Sequence, residues 1–302
     1  MSTLLALWAL LLPAARAGGV VVLSSDRLPA YEQPIAAFEQ ALQQPVQVYQ
    51  LEGDRKRAMK VADQLRDDPP SLVFALGAKA AWLAAQELPQ VPLVHAAVLD
   101  PARYGVEGAF VTGVGMELPA DLVLSQFQLF APEVKRIGII VWQGNKNPQI
   151  AEAIEAARRA GYEVVARRVT RTQDVRRGFA HLRKQVDALW VLPDPVVVTP
   201  QNFRSLRDET LRARMPLLVY SEQLVRAGAF MCVAPDWDGV GRQAADLASR
   251  ILAGTTASAV RPVAPDTPRV LVNGDTVEAL GMRMDEVMLD FVDEVVRAEV
   301  DR

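Results

Sequence analysis

Short apolar runs alternate with amphipathic helical patterns along almost the whole sequence, and this order restricts the chain more than any other feature. Residues 19–23 (Gly-Val-Val-Val-Leu) form a fully apolar run that ends in Ser24 and Ser25, as expected of a strand buried on both faces of a parallel sheet. Strand-like runs recur at 46–51, 71–76, 92–98, 136–141, 163–169, 188–192, 216–220, 230–234 and 269–272. Helices are predicted between them at 34–43, 55–65 with Asp54 as N-cap, 78–87, 121–130, 149–160, 174–185, 202–213 and 239–253. A βαβα order of this kind predicts an α/β chain whose parallel sheets carry helices on both faces. So many strands in 302 residues are expected to divide into two sheets with separate cores. The break is placed near 112–119, where two glycines and a proline interrupt the pattern. Residues 255–268, rich in Thr, Ala and Pro, read as a surface crossover. The tail, 276–302, repeats Val277, Leu280, Met284, Val287, Met288, Phe291 and Val295 at helical spacing. It is predicted to form an amphipathic helix, packed across the back of a lobe or presented to a partner.

Ahead of the first strand, residues 4–12 are apolar, Pro13 interrupts them, and Ala15-Arg16-Ala17 has the small-x-small form that a signal peptidase reads. A cleaved export signal over 1–17 is expected, giving a soluble protein outside the cytoplasm. The run is shorter than the roughly 20 residues needed to cross a bilayer. A buried first helix is the alternative, and Pro13 suits it badly.

Composition removes several classes of function. With 33 Lys+Arg against 36 Asp+Glu the formal net charge is -3, too little positive charge to track nucleic acid or anionic lipid. One cysteine, Cys232, excludes an intrachain disulfide, and two histidines, His95 and His181, supply little for a metal centre or a Ser-His-Asp triad. Neither G-x-S-x-G, H-E-x-x-H, C-x-x-C nor a P-loop occurs, and Gly113-Val-Gly115 lacks the third glycine and the preceding strand of a dinucleotide fingerprint. No cofactor and no catalytic activity are expected.

In open parallel sheets ligands bind beyond the carboxyl ends of the strands, where loops and helix N-termini present free N–H groups. The residues in those places are Ser24 and Ser25, Gly77 and Ala78, Asp100, Trp142 with the loop to Asn147, Asp194, Ser221, and Asp236 with Trp237. Small residues, carboxylates, amides and tryptophan together suit a buried polar molecule with an apolar part. Each also has a plainer reading: Asp100, Asp194 and Asp236 as turn or capping residues, Trp142 and Trp237 as core or as a stacking wall. His95 and Cys232, within apolar strands, read as buried core residues.

These residues resemble a known pattern. Leu51-Glu-Gly-Asp54, 72–78, Val91 to Pro101, Val111-Thr-Gly-Val114, Leu129 to Gly138, Val186 to Asp194 and Asp236 to Gly254 are together similar to the solute-binding proteins of the tryptophan/tyrosine-type ABC importer family. The resemblance implies a type I periplasmic binding protein: two doubly wound parallel-sheet lobes joined by a hinge, with a ligand cleft between them. It implies lobes of 18–115 plus 236–260 and of 116–235 plus 261–302. It also implies a cleft lined by Ser24, Ser25, Gly77, Ala78, Asp100, Trp142, Asn147, Asp194, Ser221 and Asp236. Amino-acid-binding members look like Thr-Asp-Pro where this chain has Leu99-Asp100-Pro101, Asn-Ser at Asn147-Pro148, and Asp-Asn at Asp194-Pro195. Each departure removes a side-chain hydrogen-bonding group, so a less polar or differently shaped solute is expected.

The expected function is capture of a small, partly apolar molecule in the periplasm by a monomer that closes over it and delivers it to an ABC permease and ATPase. A sensor subunit that signals without transport would use the same cleft. An enzyme on this scaffold would need an acid-base pair such as Asp194 with Asp236.

Overall fold

The structure, a computed structural model, describes residues 18–297, and the expected export signal over 1–17 lies outside the described residues. The chain forms two compact units, 18–113 with 244–261 and 114–243 with 262 onward.

Unit one contains β1 (Val20–Ser24), α1 (Pro29–Leu42), β2 (Val46–Gln50), α2 (Arg55–Asp67), β3 (Leu72–Leu76), α3 (Ala78–Glu87), β4 (Leu93–Ala96), a 3-10 turn (Pro101–Tyr104) and β5 (Val111–Gly113). The five strands lie in the order β2-β1-β3-β4-β5 and every neighbouring pair is parallel. The central strands β1 and β3 are buried along their whole length, which is why they lack polar alternation. Val21, Leu23, Val73 and Ala75 pack with Val61 and Leu65 of α2 and with Ala80, Leu83 and Ala84 of α3. Phe38 of α1 stacks on Phe74 with ring centroids 4.3 Å apart. Asp54 caps α2 as expected, accepting from Lys56 N at 2.7 Å. Helix α1 starts earlier than its apolar pattern suggested, because Pro29 supplies a ready-made first helical residue.

Unit two contains α4 (Ala120–Phe130), β6 (Arg136–Trp142), α5 (Pro148–Arg159), β7 (Glu163–Val169), α6 (Val175–Leu182), β8 (Ala188–Trp190), α7 (Pro200–Arg212), β9 (Leu217–Val219), α8 (Glu222–Arg226) and β10 (Met231–Pro235). Helix α9 (Trp237–Leu252) starts in this unit, and β11 (Pro268–Asn273), α10 (Gly274–Leu280), α11 (Glu286–Leu289) and β12 (Glu294–Val296) complete it. The strand order is β12-β11-β10-β9-β8-β6-β7. Alternate residues of one strand feed two cores: Ile137, Ile139 and Val141 face α4 and α5, while Ile140 joins Phe179 of α6 and Phe203 of α7.

Three expectations are corrected here. First, β11 runs antiparallel to β10, so the sheet is parallel only in its larger part. Asp236 N donates to Thr267 O at 2.9 Å, so β11 enters the sheet beside the end of β10 and must run back along it. Second, the tail is not one helix. Gly281, at φ +77, closes α10, α11 is four residues long, and residues 294–296 pair in parallel with β11. The β-branched Val295 and Val296 find ladder hydrogen bonds there that an isolated amphipathic helix would not offer. Third, a strand does precede Gly113-Val-Gly115: β5 runs up to Gly113 at the edge of the glycine-containing break.

His95 lies in β4 at 4% exposure, its ring against Gly113 of β5, where a Cβ would overlap it. Its Nδ1 is buried without a hydrogen-bond partner, and burial pushes its pKa down to about 4. The folded protein therefore resists a proton that the unfolded chain accepts near pH 6.5. Stability is complete above that value and falls as the pH drops toward 4, by about 2–3 kcal/mol. Urea unfolding at pH 7 and pH 4.5 should show this loss, and His95→Phe should remove most of it.

Candidate functional site

In unit one, the carboxyl ends of β1 and β3 are joined by side-chain hydroxyls. Ser24 and Ser25 are both buried. Ser24 Oγ donates to Asp26 O at 2.8 Å, and Ser25 Oγ accepts from Ala80 N at 2.9 Å. The end of β1 thus supplies a hydrogen-bond partner for the first turn of α3, whose own N-cap, Gly77, has no side chain to do so. Gly77 sits at φ +85, and a Cβ there would lie 2.7 Å from both the Ser25 hydroxyl and the Tyr31 hydroxyl. Only glycine allows these two groups to approach the backbone so closely. Ala78 follows as the first residue of α3. Asp100 stands apart, exposed beyond β4 at φ +52, with its carbonyl accepting from Arg103 N at 3.1 Å.

In unit two the corresponding polar centre is Asp194, 2% exposed. Its Oδ2 accepts from Trp142 N at 2.9 Å and Asn145 Nδ2 at 2.8 Å, and its Oδ1 from Val196 N at 2.9 Å and Val197 N at 3.2 Å. One carboxylate therefore holds the loop after β6 and the turn after β8. The series continues outward. Asn145 Oδ1 accepts from Asn147 N at 2.9 Å, Asn147 Oδ1 accepts from Gln149 N at 3.0 Å, and Asn147 Nδ2 donates to Glu117 Oε1 at 3.4 Å. Trp142 is half-buried, and its indole covers Gly144, where a Cβ would overlap the ring. Tyr220, at the end of β9, has its hydroxyl pKa raised by burial and then by the charge of Asp194.

The remaining expected residues sit at separate strand ends. Ser221 is half-buried and its hydroxyl donates to Gln223 Oε1 at 3.0 Å. Asp236 Oδ2 accepts from Gly239 N at 2.8 Å and from Arg242 at 3.4 Å, so it caps α9 and pairs within it. Trp237 is the half-buried first residue of that helix. The structure thus brings Ser25 together with Gly77, and Trp142 and Asn147 together with Asp194. Asn145, Tyr31 and Tyr220 were missed. Asn145 lay inside a loop already singled out, and Tyr31 precedes the apolar pattern from which α1 was read.

Asp194 accepts four hydrogen bonds and Asp236 is engaged by its own helix, so both carboxylates support the segments around them. Among the described residues no group of three His, Cys, Asp or Glu side chains is placed to hold a metal ion. Among them, too, no helix is long and apolar enough to cross a membrane. The two carboxylates should separate cleanly on mutation. Asp194→Ala leaves four donors without their acceptor and should cost about 2–4 kcal/mol of unfolding free energy. Asp236→Asn keeps a capping oxygen and should stay within about 0.5 kcal/mol of the parent. Denaturant unfolding of the two variants measures both.

A family profile described as "ABC transporter substrate binding protein" matches residues 37–296. The chain is 25% identical over 241 residues to a tyrosine-binding protein of Clostridioides difficile (strain R20291), covering 77% of this chain and 69% of that one. Its fold is similar to the ligand-free, open structure of a substrate-binding protein with adhesive properties from Clostridium difficile, with a TM-score of 0.76, 22% identity, and 93% and 99% of the two chains covered. A Streptococcus pneumonia protein solved in complex with L-Trp superposes with a TM-score of 0.61 at 21% identity, over 92% and 100% of the chains. These likenesses identify the fold as that of type I periplasmic binding proteins. The profile spans most of the chain, from α1 to β12, and on that ground the protein belongs to the ABC transporter substrate-binding protein family.

Proposed function

We propose that this protein is an extracytoplasmic solute-binding component that captures a small molecule with an aromatic or apolar part and delivers it to an ABC permease and ATPase. The observation that carries the reading is the state of the polar groups at the strand ends. Within each unit they are locked in place by the protein's own donors, as at Ser25 with Ala80 N and at Asp194 with three backbone N–H groups and the Asn145 amide. Such groups present a rigid surface without a reactive pair, which suits selective binding more than turnover. Aromatic rings stand beside them: Tyr31 near Gly77, Trp142 over Gly144, and Tyr220 beside Asp194.

The relatives that bind tyrosine and L-Trp support an aromatic solute. Leu99, Pro148 and Pro195 modify the class. Pro148 is the first residue of α5 and has no N–H to offer, and Leu99 is 45% exposed, presenting an apolar side chain next to Asp100. Because the Asp194 carboxylate is already fully engaged, a solute that depends on it as an ion-pair partner would have to displace internal hydrogen bonds. In the proposed mechanism the solute favours the conformation in which it gains the most contacts.

Aromatic amino acids, indole and phenyl acids, and aromatic amines form the test panel. A binder present at about 100 times its Kd should stabilise the fold by about 2.7 kcal/mol. That corresponds to a rise in Tm of roughly 5–10 °C, accompanied by a change in tryptophan emission. A panel that leaves both signals unchanged would overturn the solute class.

A further inference from the structure

A cavity of about 300 Å³ opens in unit one between the first turn of α1 and the end of β2, lined by Arg27, Leu28, Tyr31, Glu32 and Gln50. None of the strand-end residues expected from sequence lines it, although the Tyr31 hydroxyl reaches from its wall toward Gly77 and Ser25.

The wall has an uneven charge and an unmet need. Gln50 Oε1 is buried with no hydrogen-bond partner, and a buried acceptor in that state is unusual enough to require an explanation. Arg27 pairs with Glu52 at 2.9 Å, a carboxylate it shares with Arg57 at 3.3 Å. Glu32, by contrast, has no ion-pair partner among the described residues. Leu28 and the ring of Tyr31 supply the apolar part of the lining, and the face of a phenol ring attracts a cation. An orphaned amide oxygen, a carboxylate without a counter-ion and an aromatic ring all favour one kind of group: a positively charged hydrogen-bond donor on a carbon stem.

We propose that this cavity receives the protonated primary amine of the solute, with Gln50 Oε1 accepting one of its hydrogens, Glu32 supplying the opposite charge, and Leu28 and the Tyr31 ring packing on the adjoining carbons. The inference rests on the reading of the preceding subsection and narrows it to an amine-bearing solute.

Three probes that share an indole separate the possibilities by calorimetric titration of the intact protein: tryptamine, which has the amine alone, indole-3-propionate, which has the carboxylate alone, and L-tryptophan, which has both. Tryptamine and L-tryptophan should bind, with indole-3-propionate at least tenfold weaker. Gln50→Met and Glu32→Gln should each weaken the two amines about tenfold and leave indole-3-propionate within twofold. Unliganded Gln50→Met should match or exceed the parent in Tm, since it removes an unpartnered buried oxygen. Binding of indole-3-propionate in preference to the amines would overturn this inference alone, as would equal losses for all three probes, unchanged amine affinity in both variants, or a Gln50→Met chain that is destabilised or unfolded. Failure of all three probes to bind the parent protein would overturn the aromatic-solute reading and this inference with it.

Discussion

Four N–H groups converge on the carboxylate of Asp194, and the functional end of unit two is built around that convergence. Two of them belong to the end of β6 and the loop that follows it, two to the turn after β8. A buried carboxylate is costly unless it is surrounded by donors. Here the donors come from segments that no regular ladder would otherwise hold together. From Asn145 the same order passes to Asn147 and the start of α5, and the charge is felt as far as the Tyr220 hydroxyl. A loop fixed in this way presents Trp142 at a defined angle, which a mobile loop would not.

Unit one reaches the same end by different means. Its polar groups are hydroxyls rather than a carboxylate, and its close approach depends on Gly77 having no Cβ. Ser25 satisfies the first turn of α3 from the neighbouring strand, tying β1, β3 and α3 at one point. The two units differ in what they leave open. In unit two the obvious anionic acceptor is used up within the protein. In unit one an amide oxygen and a carboxylate at the first turn of α1 are not.

Much of the architecture was legible because burial on both faces leaves a signature that turn residues and helix caps punctuate. The unbroken apolar runs at β1 and β3, the alternation of cores along β6 and β8, and Asp54 before α2 all follow from local chemistry. Asp194 was legible as a residue at the end of a strand, but its role was not. A carboxylate that binds a solute and one that binds four backbone and side-chain donors look the same in one dimension. Asp236 makes the same point: the capping of α9 by its carboxylate depends on where the helix begins, which a lone Asp after a strand does not record. The tail was misread because Val287, Met288, Phe291 and Val295 satisfy a helical period, while the edge of β11 offers Val295 and Val296 hydrogen bonds that no periodicity records.

By itself, the sequence determined the alternation of strands and helices, the parallel core of both sheets, and the set of residues that follow each strand. Those features rest on hydrophobic period and local capping, which act over a few neighbouring residues. The tertiary structure alone decided the reversed direction of β11, the fate of the tail, the saturation of Asp194, and the meeting of Leu28, Tyr31, Glu32 and Gln50 around one cavity. Each of these depends on which segments far apart in the chain come within hydrogen-bonding distance. Whether a buried polar atom finds a partner is a property of that meeting, and the residue type does not decide it.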